Sequence, residues 1–323
     1  MKCIQVSKIG NFSLIQKSVR DPKPNEICIQ VEVTGLCRTD LKLIRQGHRD
    51  LTLPRVPGEE IVGIVVSKGK NVNNIQIGQR VYVYPGLWCE TCDACMIHAE
   101  NMCTHMEILG FHRDGGFAEY VTVPAKTVIC VPENLDPNHA VFAEPLSCCL
   151  NALELSMIEA NKTIGIWGAG PAGTLLHRAS KSFDAKPINI DPHPQRHQRI
   201  HGYASCPDIC FDIAIVAVGD RNAYLSAINH LKPRGRLVIF SGLHKDDAHI
   251  SLNFNDIHYH ETQIVGAYGC CYRHGELALK LLSEKKVIVN DLISHKLPLE
   301  RLDQGLDIVE KKLGMKVLLF PND

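Results

Sequence analysis

A chain of 323 residues with 35 basic and 35 acidic side chains has no net formal charge, which excludes a protein built mainly to hold nucleic acid or an anionic membrane. A small, near-neutral partner fits better, and the length exceeds what one hydrophobic core usually organises, so two domains are expected. No apolar run is long enough to span a bilayer.

The opening "MKCIQVSKIGNF" alternates like a strand and lacks a secretory core, so the expected location is the cytoplasm. In a chain of this length without a secretion signal, 14 cysteines read as metal ligands and buried thiols in preference to disulfides. The runs "EICIQVEV", "IVGIVVSKG", "GQRVYVYP" and "AEYVTVP" are rich in Val, Ile and Tyr and bounded by Gly, Pro and Asn. They predict short strands in a small barrel or sandwich.

Between the third and fourth of these runs lies "WCETCDACMIHAENMC", in which Cys89, Cys92, Cys95 and Cys103 are spaced C-x2-C-x2-C-x7-C. Such thiolates on one short loop make a closed tetrahedral cage for zinc with no position open to substrate, so a structural site is expected. Cys3, Cys28, Cys130, Cys148, Cys149, Cys270 and Cys271 follow no ligand pattern and are expected in the core. Cys206 and Cys210, spaced C-x3-C, are expected to be ordinary packing.

Near residue 150 the pattern changes. "KTIGIWGAGPAGTLLHRASKSF" is an apolar strand, a glycine-rich turn and a helix, and "PINID", "FDIAIVAVG", "GRLVIFSG" and "TQIVGAYG" follow as buried strands. Strands alternating with helices predict a parallel, doubly wound sheet.

Gly168, Gly170 and Gly173 complete a G-x-G-x-x-G turn. The first Gly permits the tight turn, the second lets backbone approach a pyrophosphate, and the third lets the helix pack closely. Asp191 ends the next strand at the spacing of a carboxylate that accepts from ribose hydroxyls and repels a 2′-phosphate, which favours NAD. Arg196 follows in "IDPHPQR" and softens that choice. Only about twenty residues separate Asp191 from the next strand, too few for a further strand and helix, so one element of the sheet is expected to be short or absent. "HGELALKLLSEKKV" and "LERLDQGLDIVEKKLGMKVLLF" then predict two helices and a closing strand.

The order Gly35-Leu36-Cys37-Arg38-Thr39-Asp40, Pro57-Gly58-Glu59-Glu60, the cysteine loop, "DGGFAEYVTVP", "AEPLS" and the dinucleotide turn resembles the zinc-dependent medium-chain alcohol dehydrogenase family. "AEPLS" looks most like its polyol and threonine dehydrogenase branch. The resemblance spans nearly the whole chain and implies an α/β protein: a GroES-like catalytic domain from residues 1–146 and 268–323, a trimmed Rossmann domain at 147–267, and a cleft between them. It also implies NAD and zinc as cofactors, a small alcohol or ketone as substrate, no nucleic-acid or membrane partner, and a homodimer or homotetramer.

By that resemblance Cys37 and Glu144 are ligands of a catalytic zinc, Thr39 relays the substrate proton, and Glu60 is a second carboxylate beside the metal. Arg38 and Lys316 fall where the family sets cations against the cofactor pyrophosphate, and Asp40 would hold local backbone or a neighbouring ligand.

This chain departs from the family at two positions. Glu59 stands where the family has a zinc-binding histidine, which would place about three negative charges around one zinc where about two are usual. Lys42 stands where many relatives carry the histidine that passes the proton to solvent. His48 and Arg49 in "RQGHRDLTLP" fall where the family lines its substrate pocket, and His48 is also a candidate replacement for the missing imidazole.

The expected activity is zinc-dependent, NAD-linked interconversion of a secondary alcohol or polyol-like substrate and its ketone. The rival readings are an enzyme of the same fold without the catalytic zinc, and a non-catalytic NAD-binding or metal-sensing protein. Cys37, Thr39 and Glu144 occurring together favour the enzyme.

Overall fold

Strand Glu26–Leu36, 11 residues long, is the spine of the first of two units. It pairs antiparallel with Glu60–Lys68, with Tyr120–Pro124 and with the closing strand Lys316–Phe320. Covered on both faces, it reads as a nearly continuous apolar run. The sheet continues from Glu60–Lys68 through Arg80–Val83 to Val128–Cys130, and from the closing strand to Ile293–Pro298. Register breaks at Cys28/Ile29 and Val31/Val33 curl the spine so that two apolar cores form against it.

The computed structural model describes all 323 residues and divides into Met1–Glu144 with Cys271–Asp323, and Pro145–Cys270. Sequence reading sets these divisions at 146/147 and 267/268. The second segment of the first unit joins by strand pairing, with Val317 opposite Leu36 and Leu319 opposite Thr34, so Lys316 lies beside the end of the spine. The opening strand Lys2–Lys8 is as expected, whereas sequence reading did not find its hairpin partner Asn11–Gln16 or strand Ile293–Pro298.

After the spine the chain turns into helix Arg38–Gln46, capped by Cys37. The Cys37 amide donates to Asp40 Oδ2 at 2.9 Å and the Asp40 amide donates to Cys37 Sγ at 3.4 Å, a reciprocal box that fixes both side chains. Leu41, Leu43 and Ile44 bury the other side of this helix with Leu302 and Leu306.

In the second unit a five-stranded parallel sheet runs in the order Lys186–Ile190, Thr163–Trp167, Phe211–Val216, Leu231–Ile239, Gln263–Gly266. A full doubly wound sheet has the order 3-2-1-4-5-6, so the outer strand beyond Lys186–Ile190 is the missing element. One bridge replaces it: the Tyr203 amide donates to the Asn189 carbonyl at 2.8 Å and the Asp191 amide donates to the Tyr203 carbonyl at 2.9 Å.

Of the cysteines expected in the core, Cys3, Cys28, Cys149, Cys270 and Cys271 are buried, but Cys130 is exposed and Cys148 half-buried. Cys130 ends a three-residue strand at the margin of the sheet. Cys206 packs against the second unit's core while Cys210 is exposed. No helix is long and apolar enough to cross a membrane.

Candidate active site

Gly35 lies opposite Glu60 in the strand pairing, so the residues just beyond each, Cys37 after one strand and Glu59 before the other, emerge at the same end of the sheet. Gly58 makes the turn at φ 101°, where a Cβ would stand 2.6 Å from the Phe117 ring. The result is a donor cluster: the sulfur of Cys37 and a carboxylate oxygen each of Asp40 and Glu59 lie within 4.8 Å of one another. Asp40 is buried, and Cys37 and Glu59 are half-buried.

Packing around the cluster makes its charges costly. Burial pushes the Asp40 carboxyl up to about 6 against the pull of its hydrogen bonds with Cys37, and Glu60 adds repulsion. Burial, then the carboxylates of Asp40, Glu60 and Glu59, push the Cys37 thiol well above its ordinary range. A divalent ion among these groups reverses the balance, since it favours the deprotonated form of every donor. Thiolate and carboxylate are both accepted zinc ligands, so the donor set fits a divalent metal.

Glu60, whose charge reaches Cys37 and Asp40, is itself held by a cation. Lys316 Nζ donates to its two oxygens at 2.5 and 2.8 Å, and both side chains are almost fully buried, at 1% and 4% exposure. Gly35 makes this possible, because a Cβ there would fall 1.8 Å from Glu60 Oε2. Burial acts to lower the Lys316 pKa, but Glu60, Cys37 and Glu144 together hold it above its ordinary value. Lys316, expected against the pyrophosphate, is therefore a buried ammonium bound by Glu60, and Glu60 is not a member of the donor cluster.

Glu144 lies in the first turn of helix Ala143–Leu155, and its charge reaches Lys316. It falls outside the Cys37, Asp40 and Glu59 group. Asp40 holds local backbone, accepting from the Cys37 amide at 2.9 Å, and its carboxylate also lies within the group that could hold a metal.

Arg38, Thr39 and Lys42 are exposed on the first turns of helix Arg38–Gln46. The cluster contains no histidine, so His48 does not supply the missing imidazole. Its ring packs edge-on against Phe111 at 5.0 Å, and its Nδ1 accepts from the Asp50 amide at 3.3 Å. The Arg49 side chain is 81% exposed.

The sulfurs of Cys89, Cys92, Cys95 and Cys103 also lie within 4.8 Å of one another. The Cys89 and His105 amides donate to Cys103 Sγ at 3.4 Å each, and the Thr91 hydroxyl donates to Cys89 Sγ at 3.5 Å. Hydrogen bonds from Thr91 and the neighbouring backbone bring the Cys89 thiol down to about 5, and backbone bonds around Cys92 bring it down to about 7. Burial and the neighbouring thiols push Cys95 the other way, up to about 12, and four thiols gathered this closely fit a tetrahedral zinc, which favours the thiolate of each.

In the second unit the glycine-rich turn is tied at several points. Gly168 has φ 116°, and a Cβ on Gly173 would stand 2.1 Å from the Gly168 carbonyl, so helix Pro171–Ser182 closes directly on the turn. Asn189 Nδ2 donates to the carbonyls of Gly168 and Gly173 at 2.8 and 3.1 Å, and its Oδ1 is 2.7 Å from His177 Nδ1. Asp191 is buried and accepts from the Ala169 amide at 2.8 Å and the His193 amide at 2.9 Å. The Arg196 guanidinium stands 3.6 Å from where a Gly170 Cβ would lie, which adds a cation to a helix N-terminus already suited to an anion.

A parallel dinucleotide-type sheet and a β-rich unit bearing a four-thiol cage define a class, the zinc-type dehydrogenases that use a nicotinamide dinucleotide. Residues 23–133 match the alcohol dehydrogenase GroES-like domain. L-galactonate-5-dehydrogenase of Escherichia coli K12 is 28% identical over 307 residues, 89% of this chain and 88% of its own length. A zinc-binding dehydrogenase of Sinorhizobium meliloti 1021 bound to NADP superposes with a TM-score of 0.92 at 28% identity, covering 99% of both chains. A protein of E. coli CFT073 described as a short chain alcohol dehydrogenase, complexed with NADH, gives 0.91 at 26% identity, again over 99% of both chains. Along nearly its whole length the chain is thus similar to zinc-type alcohol and polyol dehydrogenases.

Proposed function

We propose that this chain is an NAD-linked, metal-dependent dehydrogenase that interconverts a polyol-like secondary alcohol and its ketone. The observation that carries this reading is the convergence of Cys37, Asp40 and Glu59 at one end of the sheet, an arrangement that a nucleotide-binding protein without chemistry does not require. L-galactonate-5-dehydrogenase, with its polyhydroxylated substrate, supports the substrate class.

When bound, the divalent ion supplies a Lewis acid for the alcohol oxygen and the nicotinamide supplies the acceptor for hydride. Cys37 and Glu59 hold the ion, with Glu144 as the third position that the family resemblance assigns. The Thr39 hydroxyl, exposed on the first turn of its helix, takes the proton leaving the substrate and hands it on, with Lys42 one turn further along toward solvent. Gly168, Gly170 and Gly173 admit the pyrophosphate, Arg38 offers it a cation, and Asp191 favours NAD over its 2′-phosphorylated form. His48 and Arg49, which the family resemblance assigns to the substrate pocket, meet a hydroxylated or anionic substrate. Cys89, Cys92, Cys95 and Cys103 hold a structural zinc. The enzyme acts in the cytoplasm as a homo-oligomer.

Metal analysis with a turnover panel tests this reading. About two divalent ions per chain, with NAD-dependent oxidation of polyols, are expected. One ion with retained turnover would identify an enzyme without catalytic metal, and one ion with nucleotide binding and no turnover would identify a binding protein.

A further inference from the structure

We infer that Cys148 and Cys270 form a redox-active dithiol, which a hydroperoxide closes to a disulfide at the nucleotide-binding edge of the second unit. Their sulfurs lie within 4.8 Å of one another, and both residues belong to Pro145–Cys270. A disulfide bond is about 2.05 Å long, so closure needs at most about 1.4 Å of movement from each sulfur, a matter of side-chain rotation.

The surroundings select this pair. Cys148 and Asn151 are three residues apart on helix Ala143–Leu155 and so share one face. Asn151 is buried, and its Nδ2 donates to the carbonyls of Tyr268 at 3.3 Å and Gly269 at 2.9 Å. Those two bonds pin the chain just before Cys270 against the face that carries Cys148. Gly269 turns there with φ 58°, a conformation that glycine adopts at little cost. The adjacent cysteines are turned elsewhere: Cys149 donates to the Ala172 carbonyl at 3.6 Å, and Cys271 donates to Asn101 Oδ1 at 3.1 Å.

Cys270 follows strand Gln263–Gly266 at the carboxyl end of the parallel sheet, the end at which such sheets bind their ligands. Cys148 is half-buried and Cys270 is 4% exposed, so hydrogen peroxide meets Cys148 first. The Cys148 sulfur attacks one peroxide oxygen, the O–O bond breaks, and the thiol proton leaves with the departing hydroxide as water. The Cys270 sulfur then attacks the sulfur of the sulfenic acid, the S–O bond breaks, and a second water carries away the Cys270 proton. Two thiols lose two electrons, and the peroxide gains them.

The test treats the full chain, its four-cysteine loop loaded with zinc, with hydrogen peroxide, then alkylates and maps peptides by mass spectrometry before and after dithiothreitol. Expected are a peptide linking Cys148 to Cys270 and the loss of two alkylatable thiols, both reversed by the reductant. The bridge closes nearly the whole second unit into one loop, so the oxidised chain should also melt at a higher temperature. NADH affinity, read by fluorescence titration, should fall about fivefold on oxidation and recover on reduction. Cys148→Ala should show none of these changes, and Cys149→Ala all of them. Both thiols still open to alkylation after peroxide, or Cys148 driven to sulfinate with Cys270 unlinked, would overturn the pair. Unchanged NADH affinity with the bridge formed would overturn its placement at the nucleotide edge. That readout rests on the nicotinamide-linked reading above. A reduced parent that binds no NADH would overturn that reading and leave the linked peptide to decide this one.

Discussion

Lys316 and Glu60, 256 residues apart in sequence, meet in a buried ion pair with contacts of 2.5 and 2.8 Å. Removing one partner leaves a charge without compensation. Lys316→Met or Glu60→Gln is expected to cost about 3–5 kcal/mol of unfolding free energy, and the double variant much less. The raised Lys316 pKa fixes the pH sign. The pair's contribution is complete below the ordinary lysine value of 10.5 and disappears as pH rises through the higher folded value. Urea titrations at neutral pH and above pH 10.5 would check both statements.

Gly35→Ala forces the same pair apart without touching either charge, because the new methyl falls 1.8 Å from Glu60 Oε2. A loss of about 1–3 kcal/mol, typical of overpacking, is expected by denaturant unfolding. Stability equal to that of the parent would show that the carboxylate has another place to go.

Asn189→Ala removes both side-chain bonds that tie Gly168 to Gly173. Leaving those carbonyls unpaired costs about 1–3 kcal/mol. The expected outcome is a KM for NAD raised about fivefold to tenfold with kcat nearly unchanged, checked by steady-state kinetics and by NADH fluorescence titration.

Cys103→Ser breaks the four-thiol cage. Structural zinc binding is part of folding free energy, so metal analysis is expected to show one fewer zinc per chain and melting a lower midpoint. Metal content equal to that of the parent would mean that the loop holds no zinc.

Glu59→His restores the imidazole of the family pattern. Metal should be retained, and the pH profile of turnover should move because one negative charge leaves the centre. Unchanged kinetics and unchanged metal content would remove Glu59 from the donor set.

Features carried by short spacings were legible in the sequence. The cysteine loop and the glycine-rich turn each declare themselves within some fifteen residues, because their chemistry requires local geometry. The sheets were legible through their buried runs.

The donor cluster was only half legible. Cys37 and Asp40 are local, but the approach of Glu59 depends on the antiparallel register that sets Gly35 opposite Glu60. The Lys316 pair depends on the closing strand lying beside the spine, a relation no window of sequence contains. Strand Ile293–Pro298 escaped notice because "ISHKLP" exposes Ser294 and Lys296 along one side, which reads as a loop until its parallel partner is known.

The shortened sheet of the second unit has a consequence for what that unit can become. Pro187 sits inside the outermost strand, opposite Ile164, and has no N–H to offer on its other side. Proline is tolerated in a sheet only where no further strand needs that donor. At Pro187 that margin therefore has no donor for a further strand, and pairing there is confined to the end of the strand. Only the segment after Ile190, with its single bridge from Tyr203, remains to be varied there. A change confined to those few residues would alter what stands beside Asp191 and leave the five strands as they are.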